Sequence, residues 1–86
     1  MKVIKRDGRL QKFDLSKIKT SMYRASNDAV QPLNESDSAN LANNIKKSLQ
    51  NYQKSSIHSD IIQIFVLREL EKQGFGVVAK YYNQGK

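Results

Sequence analysis

The amino-acid sequence predicts an α+β fold: a small bundle of about four helices capped by an N-terminal β-hairpin, with a short third strand where the chain returns to the hairpin. Three observations carry this expectation. Asp7-Gly8 is a hairpin-turn dipeptide flanked by residues able to pair as strands. Downstream of it, apolar residues recur at spacings of three and four in separate stretches, the helical period. Between those stretches stand Pro32 and Gly74, which interrupt helices for opposite reasons, one lacking an N–H and the other tolerating positive φ.

The hairpin comes first. A two-residue type I′ turn centred on Asp7-Gly8 needs positive φ at both positions and predicts strands at about Lys2 to Arg6 and Arg9 to Phe13. Val3, Ile4, Leu10 and Phe13 are their apolar positions, and Lys5, Arg6, Arg9 and Lys12 their charged ones. Val3 and Lys5 share a face by period two, so one side of the first strand mixes an apolar anchor with a cation. Asp14 suits an N-cap, with its carboxylate accepting from Ser16 or Lys17 and starting a helix at Leu15. Lysine in a first turn opposes the helix dipole, so Lys17 is expected to have a negative partner. Lys5, Arg6 and Lys17 beside a helix N-terminus together make an anion site.

From Leu15 the face Leu15, Ile18, Met22, Ala25 and Ala29 predicts a helix of roughly fourteen residues. Gln31-Pro32-Leu33-Asn34 is a loop. A second helix opens near Asn34 or Ser36 and runs to about Asn51, with Leu41, Ala42, Ile45, Leu49 and Tyr52 on its core face. Asparagines at 40, 43 and 44 weaken its propensity, so packing must hold it. Gln53-Lys54-Ser55-Ser56 is a polar break. Ser56-Ile57-His58 is short enough for either a loop or a third strand, and the strand is favoured. Ser59 is an N-cap for a third helix whose apolar residues, from Ile61 to Leu70, surround most of its circumference; it should be the central element, ended by Gly74 at C′. A short fourth helix starts at about Gly76, before Asn83 to Lys86 frays.

Eighty-six residues make one small domain, 1–86. With no cysteine and only His58 as an imidazole, neither a disulfide nor a histidine or thiolate metal cluster can form. No apolar run approaches the ~20 residues of a membrane span, so a soluble, cytoplasmic protein without a membrane partner is expected. The formal charge is +7, and eight of the fifteen cations fall within the first twenty-four residues against two acids, a local balance of +6. Such a concentration favours a polyanion: a nucleotide, a nucleic acid or an anionic surface. An enzyme finds no support, since there is no nucleophile-base pair and no suggestive pair of carboxylates. Neither phosphate-binding glycine motif occurs, so a nucleotide needs another kind of site.

Four blocks in order, Val3-Ile-Lys-Arg-Asp-Gly8, Phe13-Asp-Leu-Ser-Lys-Ile18, the Ser59-Asp-Ile-Ile helix start and Val78-Ala-Lys-Tyr-Tyr82, resemble the ATP-cone family over nearly the whole chain. The resemblance implies a helical bundle capped by a three-stranded sheet, and a non-catalytic, allosteric regulatory module that binds ATP and dATP. Such a module would be the N-terminal part of a ribonucleotide reductase or a partner to one, or would act through self-association, with a Mg2+ ion able to accompany the phosphates. Carried over by position, Lys5 and Arg6 would contact phosphates, Lys17 the phosphates or the sugar edge, and Asp14 and Gln11 would lie near the adenine. Val3, Phe13, Ile18, Ile61 and Ile62 would wall the base, Ser59 would lie near the nucleotide, and Lys80 would add a phosphate contact. Gln11 departs from the acidic residue of some members, and Gly85-Lys86 replaces their Tyr-Arg-like ending, as in an isolated or shortened cone. The alternative is a small basic nucleic-acid-binding module or part of a transcriptional repressor.

Overall fold

The computed structural model of the protein describes residues 1–52 and 55–84. Strands β1 (Lys2–Ile4) and β2 (Leu10–Lys12) are followed by helices α1 (Leu15–Asp28) and α2 (Glu35–Asn51), strand β3 (Ser56–His58), and helices α3 (Ser59–Lys72) and α4 (Gly76–Gln84). The α+β expectation of four helices and a small sheet therefore holds. β1 is the middle strand, antiparallel to β2 with Val3 opposite Gln11, and parallel to β3 with Val3 opposite Ile57.

The strands are shorter than expected because the turn takes more residues. Gly8 N donates to Lys5 O at 2.9 Å and Lys5 N to Arg9 O at 2.8 Å, which makes Arg6-Asp7-Gly8 a three-residue loop. Gly8 alone in the loop has positive φ, at +86°. This is the turn-plus-bulge connection in which one glycine suffices, instead of the type I′ turn that would force Asp7 to positive φ as well. Asp7 instead braces the loop by accepting from Arg9 N at 3.1 Å.

The caps of the first two helices follow local chemistry. Asp14 Oδ1 accepts from Ser16 N at 3.0 Å and from the Ser16 hydroxyl at 2.6 Å. Asn34 and Asp37 form a reciprocal capping box at the start of α2. At α3 the expectation needs correction: His58 is the N-cap, its Nδ1 accepting from Asp60 N at 3.2 Å, and Ser59 is the first helical residue. β3 delivers the chain in extended geometry as far as His58, so the half-in position falls one residue earlier than Ser59.

Two helices end in the same hydrogen-bond motif with different residues. After α3, Phe75 N donates to Leu70 O and Gly74 N to Glu71 O, with Gly74 at φ +89° as expected. After α1, Gln31 N donates to Ser26 O and Val30 N to Asn27 O, and the left-handed position is held by Val30 at φ +53°. A β-branched residue there is strained.

The four helices form a ring. α1 packs on α2 and α4, and α3 packs on the same two helices and on β3. α3 is thus one side of the ring and not its centre, and Ile64 on its outer face is 44% exposed. It nevertheless buries five residues, more than any other element, including the polar Gln63 and Glu69. Glu69 Oε2 ties α3 to α2 by accepting from Asn44 Nδ2 at 3.1 Å, and it also accepts from Gln73 Nε2 at 2.8 Å. Met22, Leu41, Ile45, Leu49, Ile57, Val66, Leu70 and Val78 are fully buried and fill the ring. Leu33, in the loop with Pro32, is also buried, while Tyr52 lies at the rim, edge-on to Phe65 with ring centroids 5.8 Å apart. The break at Gln53 and Lys54 and the fraying of Gly85 and Lys86 lie outside the described residues. Among those described, no helix is long and apolar enough to cross a membrane.

Candidate functional site

Val3 and Gln11 are cross-strand partners, and the Lys5–Arg9 hydrogen bond carries the same register into the loop, so their side chains share the sheet face turned toward the helices. Phe13, two residues beyond Gln11, continues that face. Between it and the helices lies a cavity of about 520 Å3, within the range of sites that hold small ligands.

The hairpin contributes Val3, Lys5, Arg6, Asp7, Arg9, Gln11, Lys12 and Phe13. The first turn of α1 adds Asp14, Lys17 and Ile18, the start of α3 adds Ser59, Ile62 and Gln63, and α4 adds Tyr82. Every residue proposed from the sequence therefore lines this one cavity except Ile61 and Lys80. Adjacent helical residues point about 100° apart, so Ile62 facing the cavity turns Ile61 away, and Ile61 packs against the core. On α4 the same geometry brings Tyr82 to the cavity and leaves Lys80 exposed, two residues back and about 200° around the helix.

Five residues of the lining, Asp7, Arg9, Lys12, Gln63 and Tyr82, are not among the site residues expected from the sequence. Arg9 was legible, since period two places it with Gln11 and Phe13, and Asp7 and Lys12 belong to the same hairpin. Gln63 and Tyr82 had no local signal, because they reach the cavity only through the way α3 and α4 pack. These two also wall a smaller cavity of about 300 Å3 between α1 and α4, with Arg24 and Asp28.

The cations of the lining are exposed and its aliphatic residues buried. Lys5, Arg6, Arg9, Lys12 and Lys17 stand along the hairpin and the first turn of α1, whereas Val3, Ile18 and Ile62 are buried. Arg9 Nε pairs with Asp7 Oδ2 at 2.6 Å and Arg6 Nε approaches Asp60 Oδ1 at 3.6 Å, both pairs exposed and so contributing little to stability. Lys5, Lys12 and Lys17 have no ion pair among the described residues, and of the three only Lys17 acts on a carboxylate, that of Asp14, which leaves the charge of Lys5 and Lys12 to a ligand.

Hydrogen bonds from the Ser16 hydroxyl and N–H, helped by the charge of Lys17, hold the Asp14 carboxyl below its ordinary value. Asp14 is thus the negative neighbour expected for Lys17. The Ser16 amide is already committed to this carboxylate, so attraction for an anion comes chiefly from the side-chain cations. Burial pushes the Tyr82 phenol up, which keeps it neutral as a cavity wall. His58 caps α3 and does not line the cavity. Among the described residues no group of three or more metal-ligating side chains comes together.

The family model described as ATP cone domain matches residues 1–83 of the chain. No curated protein matches it.

Proposed function

The chain belongs to the ATP-cone family, whose members are nucleotide-binding regulatory modules and not catalytic ones, and we propose that its hairpin-side cavity binds ATP and dATP as alternative allosteric ligands. The observation that carries this reading is that one cavity combines five exposed cations with a buried apolar lining. A nucleoside triphosphate combines the two matching features, with up to four negative charges at one end and a flat base at the other. Lys5, Arg6 and Lys17 would hold the phosphates by charge-assisted hydrogen bonds, with Arg9 and Lys12 adding to the field. Val3, Phe13, Ile18 and Ile62 would take the base, with Gln11, Asp14 and Ser59 at its polar edges. A Mg2+ ion would come with the phosphates.

The regulated partner in this reading is a ribonucleotide reductase, in the same polypeptide or docked to it, or a second copy of the domain. A ligand shifts such an equilibrium only through different contacts with the two states. The hairpin, the start of α3 and α4 all face the ligand, so ATP and dATP would differ in how firmly they draw these elements together and hence in the surface offered to the partner.

Isothermal titration with ATP, dATP, GTP and CTP tests the ligand. Saturable binding of adenine nucleotides is expected, and absence of it overturns the reading. Gel-shifts with random DNA and RNA at two salt concentrations test the nucleic-acid alternative, which requires affinity that falls steeply with salt. Light scattering of the domain and its parent protein with each nucleotide tests the output; identical masses and parent activity would reduce the domain to a passive binder.

A further inference from the structure

Gln63 lines the cavity one residue after Ile62, also borders the smaller cavity beside it, and has only 9% of its surface exposed. An amide in such a place is costly unless its polar atoms are used. Half of it is used within the protein: Nε2 donates to Asn83 Oδ1 on α4 at 3.3 Å. Oε1 accepts from none of the described residues and is not sealed from solvent, so it is available to a ligand in the two adjoining cavities that Gln63 lines. The side chain is therefore anchored by its donor end and offers its acceptor end.

We infer that Gln63 is a specificity-determining residue of this site, presenting Oε1 to the edge of the bound base and selecting an exocyclic amino group over an oxo group. The inference rests on the nucleotide reading above and deepens it. With the phosphates held along the exposed cationic hairpin, the base would lie toward the buried apolar lining, which Gln63 adjoins on α3 beside Ile62. A 6-amino purine can donate to Oε1, as glutamine and asparagine carboxamides pair with adenine elsewhere. Approached from its N7 side, a 6-oxo purine would set O6 against Oε1, two acceptors facing each other, with its N1–H turned to the far side of O6.

Rotating the Gln63 amide to serve an oxo group would break its bond to Asn83, unless the Asn83 amide rotated with it. That concerted rotation is the one route by which the site could lose its preference, because both side chains are carboxamides. Asn83→Asp closes the route, since a carboxylate only accepts. Asn83→Ala opens it by removing the anchor.

The experiment is titration of the 86-residue chain and its variants with ATP and ITP, which differ at position 6, amino against oxo, and at the adjoining N1, an acceptor in ATP and an N–H donor in ITP. The parent is expected to bind ATP about tenfold more tightly than ITP, the size of one hydrogen bond to a base edge. Gln63→Met, of similar length and without the acceptor, should bring the two affinities together mainly by weakening ATP. Asn83→Asp should keep the preference and Asn83→Ala reduce it; because Asn83 is exposed, these two variants decide the matter even if Gln63→Met fails to fold. A parent without preference, a folded Gln63→Met that keeps the parent ratio, or equal ratios in the two Asn83 variants overturns the assignment of Gln63 while leaving nucleotide binding intact. A parent that binds neither nucleotide removes the nucleotide reading itself, and this inference with it.

Discussion

Five cations line the cavity end of the molecule, three of them without an ion pair among the described residues, whereas the ring of helices behind it holds Met22, Ile45, Val66, Leu70 and Val78 with no exposure at all. The two regions use side chains in opposite ways. In the ring, each apolar group removed from water contributes to holding the fold. Around the cavity, charges are kept solvated and close together, an arrangement that gains nothing for the folded chain and becomes favourable only when an anion arrives. The difference teaches that the ring core and the cavity cations can each be changed alone, while Val3, Ile18, Ile62 and Asp14 serve both fold and cavity.

The largest expected effect falls in the ring. Leu70→Ala removes a fully buried side chain and should cost about 2–5 kcal/mol, a large part of the stability of a domain this small. Chemical denaturation measures it; a loss well under that range would mean that the ring collapses around the vacancy and is not the rigid half of the comparison.

At the cavity end, Lys5→Ala or Arg6→Ala should remove about 1.5–3 kcal/mol of nucleotide binding, a loss of roughly ten- to a hundredfold in affinity. The melting temperature should stay where it is, since both side chains are exposed and the Arg6–Asp60 pair is weak. Titration and melting curves on the same samples give both numbers. Unchanged affinity in either variant would show that phosphate is not held at the hairpin, and a large drop in melting temperature would show that the two regions are not independent.

A smaller effect, of opposite sign, is expected at the corner between α1 and α2. Val30 is 87% exposed and holds a left-handed conformation that Gly74 occupies in the same motif after α3. Val30→Gly relieves the strain and gives up almost no packing, so it should stabilise the domain by about 1 kcal/mol, visible as a rise of about 4–8 °C in Tm. A fall in Tm would mean that the greater freedom of glycine in the unfolded chain outweighs the strain.

The smallest effect concerns Asp14, which belongs to both regions, as α1 cap and as cavity wall. Its carboxyl is held below the ordinary value by the Ser16 hydroxyl and N–H and by Lys17, so its ionised form contributes stability that is present above the ordinary value and lost as pH falls through the lower folded value. Asp14→Asn keeps a capping oxygen without the charge. Melts from neutral to acid pH should show the parent's advantage over this variant constant until the carboxylate range and shrinking below it. An advantage that already fades near neutral pH would point to a different titrating group.

What the sequence by itself determined are the features decided within a few neighbouring residues. Asp14 and Asn34 cap helices because their side chains reach amides two or three positions on. Gly74 ends α3 because glycine accepts the left-handed geometry that the motif needs. The faces of α1 and α2 follow from spacing, and the cations of the cavity from their crowding around one turn. The family resemblance rested on these same local blocks, and the match to residues 1–83 agrees with it.

Tertiary structure decided whatever depends on how one element is rotated or aligned against another. Ser56-Ile57-His58 became a strand only by pairing in parallel with β1, about fifty residues away in sequence. That pairing carries extended geometry up to His58, which is why the cap of α3 is His58 and not Ser59. Leu33 is buried because the Pro32 loop is folded over the ring, a placement that no spacing rule could show. The cavity wall is the clearest case: Ile62 over Ile61, Tyr82 over Lys80, and the buried Gln63 were each selected by the rotation of α3 or α4 about its own axis. A step of one residue turns a helix by about 100°, and only packing against the other elements sets where that turn begins.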